Sequence, residues 1–445
     1  MRARILSLTL AGVFATSAIA QTPAGSPQAT LPETPVGRVV TEWLTIFNAA
    51  DSIKLVEYYS KYRLDRVISA QLNRARQSGG FDVVSIEKSA PRYIEMVLKE
   101  RATGVLAYGV LELTDESAGP LTFRQSYVTP VPPNGSIDVF KIGAADRARV
   151  IEAAIAKLDS FYVFPDVAAK MATTVRDKNK GGAYDAIGNG LSFALQLMED
   201  FQSVSRDKHL RVNFSASRIP DRRPDPAPDP AMRERYRQDM LRINCGFAKT
   251  ETLANNVGYL KFDFFAAPDV CGDVATTEMQ KLADVSALVI DLRENGGGSL
   301  EMVAHVTSYL FSKRVHLNNL WERRGNRTTE YWTKPELPGR KVRDEVPVFV
   351  LTANRTFSGA EEFSYNLKNL KRATIVGETT GGGAHPVSGH KIDDHFMIGV
   401  PFARAINPYS KTNWEGTGVE PDVKVAASAA LATALRLISE KRATP

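Results

Sequence analysis

Apolar residues in the first third of the chain recur first with a helical period and then with a strand period. Residues 39–50, V-V-T-E-W-L-T-I-F-N-A-A, show helical spacing, and a second helix is predicted at Ile53–Tyr59. Three following runs alternate apolar and polar residues, as strands with one buried face do: F-D-V-V-S-I-E-K, Y-I-E-M-V-L-K-E and A-Y-G-V-L-E-L. Helices followed by an antiparallel sheet predict an α+β module over residues 36–128.

A proline-rich boundary separates this module from the rest of the chain. The run T-P-V-P-P-N-G predicts a stiff connector, and we place the linker at residues 129–146. Helical spacing resumes at Arg147–Phe161 and again at Tyr184–Asp200. These helices predict a small helical subdomain over residues 147–213.

The C-terminal part alternates short apolar runs with helical ones. A connecting insert is predicted at residues 214–257, and its polar, proline-rich segment Ile219–Pro230 is expected to be a mobile loop. Residues 258–445 are expected to form an α/β core with a largely buried sheet. Its strand candidates are V-G-Y-L-K-F, A-L-V-I-D-L, V-P-V-F-V-L-T and A-T-I-V-G.

The N-terminus has the pattern of an export signal. Two arginines precede the apolar stretch Ile5–Ala15, and A-I-A follows as a small-residue cleavage site, so residues 1–20 are predicted to be a signal peptide. The apolar stretch is shorter than the ~20 residues that span a bilayer. Residues 21–35 are predicted to be a disordered leader. We therefore expect an exported protein, periplasmic or extracellular, with no membrane span after signal cleavage.

Charge and cysteine content narrow the function classes. A net charge of +6 over 445 residues is mild, and the basic residues are interspersed with acids, which argues against nucleic-acid binding. Cys245 and Cys271 are the only cysteines, and in an oxidising compartment they are a candidate disulfide. Neither a Cys-x-x-Cys nor a His-x-x-x-His spacing occurs, so we expect no metal and no cofactor.

The first candidate for chemistry is Ser358. Val346–Leu351 is predicted to be a buried strand, and a helix is predicted just after the serine because apolar residues then recur at helical spacing. A serine at a helix N-terminus lies where backbone N–H groups and the helix dipole favour negative charge, which suits a nucleophile. The alternative is a simple N-cap, with Glu361 completing a capping box.

A triple glycine provides the second element. Ala287–Leu292 is predicted to be another buried strand, and it runs into D-L-R-E-N-G-G-G-S. Consecutive glycines let backbone N–H groups approach a substrate, as an oxyanion hole requires. The alternatives are a plain loop or a phosphate cradle, but neither established nucleotide-binding glycine motif is present.

A nucleophilic serine needs a base, and the chain has six histidines. His209 follows a polar loop at the start of a strand, whereas His385 and His390 lie in the segment G-G-G-A-H-P-V-S-G-H. Because members of a catalytic triad need not be neighbours in sequence, these residues alone leave all three histidines open as the base.

Four ordered motifs resemble the C-terminal processing peptidase family. They are D-L-R-E-N-G-G-G, T-F-S-G-A-E-E-F, R-A-T-I-V-G-E-T-T-G-G-G-A-H-P and W-E-G-T-G-V-E-P-D-V, between Arg147 and the chain end. The family's lysine branch carries its lysine where this chain has Gly383. The sequence is therefore similar to the other branch, that of the tricorn core and interphotoreceptor retinoid-binding protein, without a PDZ domain. The resemblance implies a ClpP/crotonase-like α/β peptidase core.

This resemblance also implies roles for single residues. Ser358 would be the nucleophile, His209 the base, and Glu415 the carboxylate that orients it. The oxyanion donors would be the N–H of Gly359 and that of Gly297 or Gly298. The residue before the histidine is a serine in the tricorn type but Lys208 here.

The implied activity is hydrolysis of peptide bonds in a peptide or protein substrate by a serine-type endopeptidase. The rival hypothesis is a non-catalytic protein that binds an apolar ligand on a peptidase-like fold. The order of elements in residues 36–128 resembles the nuclear-transport-factor-like (SnoaL-like) fold, which suggests an accessory role for that module.

Overall fold

The computed structural model describes residues 29–64, 66, 68–114, 120–221 and 229–443. The predicted signal peptide and most of the predicted leader lie outside these residues. The chain divides into two compact units, the first ending at Val131 and the second beginning at Pro132. In the described part of the chain, no helix has both the length and the apolar character needed to cross a membrane.

The first unit consists of three helices followed by an antiparallel sheet. The sheet order is β1-β2-β3-β4, and Thr34 caps the first helix, α1, its hydroxyl oxygen accepting from Gly37 N. This α+β architecture was predicted, whereas the resemblance to the nuclear-transport-factor-like fold stays a prediction. The elements are α1 Pro35–Asn48, α2 Ser52–Lys61, α3 Ile68–Ser78, β1 Phe81–Ala90, β2 Tyr93–Glu100, β3 Leu106–Leu113 and β4 Phe123–Pro130.

The end of the predicted leader is part of this unit. The N–H of Ala29 donates to the carbonyl of Val83, and Leu31 packs against the core of the unit. The first helix also begins at Pro35, within the range assigned to the leader. A proline at the first helical position explains this start, because its missing N–H would have no partner there.

The second unit opens with a helical layer. It contains α4 Ala144–Phe161, α5 Pro165–Lys180, α6 Gly190–Ser205 and the short strand β5 Arg211–Phe214. Helix α6 begins later than the predicted Tyr184 because Asn189 caps it, its Oδ1 accepting from Ser192 N. Strand β5 pairs with β14 (Phe396–Pro401), which pairs with β13 (Val387–Lys391), so distant segments meet in one antiparallel sheet.

The central sheet of the second unit has the order β16-β12-β11-β8-β7-β6, parallel except for the edge strand β6. Leu288 and Ile290 of β8 pack into one core, while Val289 packs into another on the opposite face. Both faces are therefore buried, as the uninterrupted apolar runs predicted, and the predicted α/β class is confirmed. The remaining elements are α7 Pro230–Arg242, β6 Phe247–Leu253, β7 Val257–Phe262, α8 Pro268–Gln280, β8 Ala287–Asp291, α9 Leu300–Ser308, β9 His316–Glu322, β10 Arg327–Trp332, β11 Val348–Thr352, α10 Gly359–Asn369, β12 Ala373–Gly377, β15 Ala403–Ile406, β16 Val423–Lys424 and α11 Ala430–Ala443.

The segment predicted to be a connecting insert contributes to this sheet. Strand β6 lies before Gly258, where the core was predicted to begin, and pairs with β7. Cys245, just before β6, forms a disulfide with Cys271 of α8, the two Cα atoms being 5.8 Å apart. Most of the predicted mobile loop, residues 222–228, lies outside the described residues.

Candidate active site

Ser358 stands between β11 and α10 in a backbone conformation that L-residues rarely adopt. Its φ is 54° and its ψ is −120°. An ordinary N-cap residue has an extended backbone, so capping alone does not explain this geometry. Such strain costs about 1–3 kcal/mol and persists only where the surroundings hold it. The turn presents Ser358 at the N-terminus of α10, as a nucleophile requires.

The group that holds this turn is the buried carboxylate of Glu361. Its Oε2 accepts from Ser358 N at 2.8 Å and from Gly383 N at 2.9 Å. Its Oε1 accepts from Gly382 N at 2.6 Å and from the hydroxyl of Thr380 at 2.5 Å. Burial raises the pKa of Glu361, and these four hydrogen bonds oppose that rise. One side chain thus joins the serine turn to the second glycine-rich loop.

The first glycine loop lies directly against Ser358. A Cβ on Gly297 would come within 2.6 Å of Gly359 N and 2.7 Å of Ser358 Cβ. Gly298 has φ +141°, and its Cβ would lie 2.1 Å from Phe265 O. Side chains are therefore excluded at both positions, because backbone occupies the space.

Of the predicted oxyanion donors, Gly298 and Gly359 have free N–H groups. Gly297 N donates to Asn295 Oδ1 at 2.8 Å. Gly298 forms a parallel bridge with Phe265, and in that pattern its own N–H points away from Phe265. Within the residues that the structure describes, neither Gly298 N nor Gly359 N has a partner, and both glycines line one cavity with Ser358.

His209 reaches the same cavity from the loop between α6 and β5. Its ring packs on the ring of Phe357, with centroids 4.7 Å apart. A Cβ on Gly383 would lie 2.6 Å from His209 Cε1, so the absence of a side chain at position 383 leaves room for the imidazole. Burial lowers the pKa of His209 to about 4, despite the opposing charge of Asp207.

A buried ionisable network lies behind His209. Asp207 accepts from the backbone N–H of His209 at 3.0 Å and contacts Nδ1 of His385 at 2.7 Å. Glu415 Oε2 lies 3.4 Å from the same His385 Nδ1 and accepts from Ala384 N at 2.6 Å. Burial raises the pKa of Glu415 to about 7. Glu415 is thus in contact with His385, and through Asp207 the network reaches the backbone of His209.

Three ligand atoms of this network, one each from Asp207, His385 and Glu415, lie within 4.8 Å of one another, the spacing of a metal site. The distance of 2.7 Å between Asp207 Oδ2 and His385 Nδ1 is that of a hydrogen bond. These residues form a hydrogen-bonded network next to His209.

Two family profiles match the chain. Peptidase family S41 matches residues 256–425, and the N-terminal domain of peptidase S41 in eukaryotic IRBP matches residues 144–244. The chain belongs to peptidase family S41. The predicted likeness to C-terminal processing peptidases is thereby confirmed, and the two matched regions carry all the residues of the site described above.

Curated relatives of this S41 protein match over its C-terminal part. Carboxyl-terminal-processing peptidase 2, chloroplastic, of Arabidopsis thaliana is 29% identical over 166 residues, 37% of this chain and 31% of the relative. The tricorn protease of Thermoplasma volcanium is 29% identical over 144 residues, 32% of this chain and 13% of the relative. The matched regions therefore span about a third or less of these relatives.

Solved structures of low sequence identity also resemble this chain. A putative peptidase from Parabacteroides merdae is 18% identical with a TM-score of 0.46, covering 65% of this chain and 96% of that chain. The tricorn protease is 12% identical with a TM-score of 0.42, covering 81% of this chain and 43% of that chain.

Several residues of the S41 site were not foreseen from the sequence. Glu361 was interpreted only as a helix cap, and Asp207 only as part of the D-K-H motif. Lys208, whose role was open, donates to Gly381 O at 2.6 Å. His390, one of the three candidate bases, bonds to Ser388 and stacks on Phe161. The cavity has a volume of about 250 Å³. His209 is among its lining residues, whereas His385 is not.

Proposed function

We propose that the protein is a serine peptidase that cleaves peptide bonds through an acyl-enzyme intermediate. The observation that carries this proposal is the convergence on one cavity of Ser358, His209 and the free N–H groups of Gly298 and Gly359. A strained serine at a helix N-terminus, a neutral imidazole and two unpaired amides are the groups that acyl transfer requires.

In this mechanism Ser358 Oγ attacks the peptide carbonyl carbon while His209 takes the hydroxyl proton. Gly298 and Gly359 donate to the oxygen as it becomes negative. His209 then gives its proton to the leaving amine as the C–N bond breaks. Water attacks the acyl-enzyme with His209 again as base, and Ser358 is regenerated.

Glu415 completes the proposed Ser-His-Glu site as a positioning residue. Its contacts with His385 and Ala384, and those of Asp207 with His385 and His209, link it to the loop that carries the base. Two of the buried atoms that have no partner among the described residues, His209 Nδ1 and Glu415 Oε1, belong to this assembly. We propose that the network maintains the orientation of the His209 imidazole.

We further propose that the protein is exported and that its substrate is a peptide or protein. The predicted signal peptide supports export. The relatives include carboxyl-terminal-processing peptidases, which supports a peptide or protein substrate for this chain as well.

A fluorophosphonate probe tests the proposal directly. We expect the wild-type protein to be labelled on Ser358 and to hydrolyse unfolded proteins, because an activated serine reacts with both. Ser358→Ala should lose both properties with an unchanged circular dichroism spectrum. A folded wild-type protein that neither labels nor hydrolyses would instead support the ligand-binding hypothesis.

A further inference from the structure

The cavity at Ser358 extends beyond the proposed catalytic groups to two buried polar side chains. Glu362 is one helical turn after Ser358 on the same face of α10, about 6 Å along the axis. It is 2% exposed and lines the cavity together with Asn318 of β9, which is 0% exposed. We call these two side chains the polar floor.

Asn318 has unused hydrogen-bonding capacity. Its Oδ1 atom is buried and, within the part of the chain that the structure describes, has no hydrogen-bond partner. Buried polar groups in proteins are nearly always paired. An unpaired amide oxygen in the lining of a cavity therefore points to a hydrogen-bond donor supplied by a ligand.

Apolar side chains line the same cavity and form its apolar walls: Leu300, Leu320, Ala405 and Trp414. A substrate side chain that reaches the polar floor from Ser358 therefore needs an apolar stem that can contact these walls and a polar end group.

The charges near the polar floor favour a cationic end group. Burial raises the pKa of Glu362 to about 8, and the charge of Glu301 adds to this rise. The amides of Asn318 and Asn366 oppose it. An ammonium or guanidinium group beside Glu362 would favour its ionised form and would donate a hydrogen bond to Asn318 Oδ1.

We propose that the polar floor selects a lysine or arginine at the residue whose carbonyl Ser358 attacks. Glu362 would pair with the cation, Asn318 would accept one of its hydrogen bonds, and the apolar walls would contact the methylene stem. This inference rests on the proposed peptidase function and specifies its substrate class.

Quenched fluorescent peptides that differ at this one residue test the inference. We expect kcat/KM for lysine or arginine to exceed that for norleucine or glutamine at least tenfold. Glu362→Gln retains the shape and removes the charge, so the ratio of lysine to norleucine should fall at least tenfold. Glu301→Gln is the matched control, since Glu301 is exposed, and it should change that ratio less than threefold.

A second measurement needs only the wild-type protein. A peptide aldehyde ending in arginine should block fluorophosphonate labelling of Ser358 at least tenfold more tightly than one ending in norleucine. A preference for norleucine or glutamine, or an unchanged ratio in folded Glu362→Gln, would overturn the inference while the peptidase function stood. Absence of both labelling and cleavage in wild type would overturn the proposed function itself.

Discussion

The absence of a side chain at position 383 leaves the space that the proposed base occupies. The space that a side chain would occupy there is filled by the rings of His209 and Phe357. A lysine at 383, as in the lysine branch of the family, would collide with the imidazole. The position of the His209 ring therefore requires a residue without a side chain at 383, as we expect if His209 is the base.

Removing the proposed base should be as damaging as removing the nucleophile. We expect Ser358→Ala and His209→Ala each to lower kcat/KM by about 10⁴-fold or more, and the double variant hardly further, since the residues act as a unit. Peptide hydrolysis by the purified variants measures this. His390→Ala is the control, because His390 contacts Phe161 and Ser388, outside the proposed site. Full activity in His209→Ala would refute the assignment.

The pH dependence should follow the buried state of His209. Its pKa is lowered to about 4 by burial, so the imidazole is neutral, and competent as a base, at every pH above that value. We expect kcat/KM to be constant from pH 7 to about pH 5 and to fall near pH 4. Rates measured across this range for peptides without titratable groups provide the profile.

Either His209 or Glu415 could set the acid limb of the pH profile, the range in which kcat/KM falls on acidification. Glu415→Gln distinguishes between them. The pKa of Glu415 is raised to about 7, so a requirement for its ionised form would place the limb near neutrality. We expect the variant to keep the limb near pH 4 at a lower plateau, because glutamine retains an oxygen for Ala384 N. A wild-type limb near pH 7 that moves in the variant would contradict us.

At the scale of elements, the start of α10 depends on one carboxylate. The carboxylate of Glu361 accepts four hydrogen bonds. In Glu361→Gln the amide nitrogen of glutamine, itself a donor, would lie opposite at least one of these donors, and that hydrogen bond would be lost. We expect the free energy of unfolding to fall by about 2–4 kcal/mol and labelling of Ser358 to slow. Denaturant titration and labelling rates measure the two effects.

Glu294→Gln is the matched control for Glu361→Gln. Glu294 pairs with Arg355 at the surface, and such pairs contribute at most about 1 kcal/mol. Equal stability losses in the two variants would show that Glu361 does not hold the turn.

The strands around the site could be predicted because their apolar runs are buried on both faces. The strand before Ser358 and the helix after it followed from Val348, Phe363 and Leu367, which are buried. By contrast, α7 has no buried residue, so no periodicity marked it. Helix α5 was not predicted, although Pro165 and the acidic residue after it are typical of the start of a helix.

The network behind His209 could not be predicted, because it depends on contacts between distant segments. Asp207 and His385 are 178 residues apart in sequence, yet their side chains meet at 2.7 Å. The pairing of β5 with β14 brings their segments together. Local spacing carries no signal of such a contact, so the three candidate histidines stayed equivalent until the family motifs separated them.

At the scale of the whole molecule, each unit has its own hydrophobic core. The core of the first unit includes Trp43, Phe47 and Tyr58, and the cores of the second are built from residues after Pro132. A separate core is the condition for independent folding. The disulfide between Cys245 and Cys271 belongs to the second unit, and closing that loop contributes about 3 kcal/mol to its stability.

The second unit alone should therefore retain the proposed chemistry. Every residue that lines the cavity at Ser358 lies after Pro132, so a protein beginning at residue 132 should fold with an intact disulfide and label with a fluorophosphonate within about threefold of the full-length rate. The same protein with Ser358→Ala is the control for specific labelling. Loss of labelling in a fragment that retains cooperative unfolding would mean that residues before Val131 contribute to the site, and the accessory role predicted for the first unit would then be wrong.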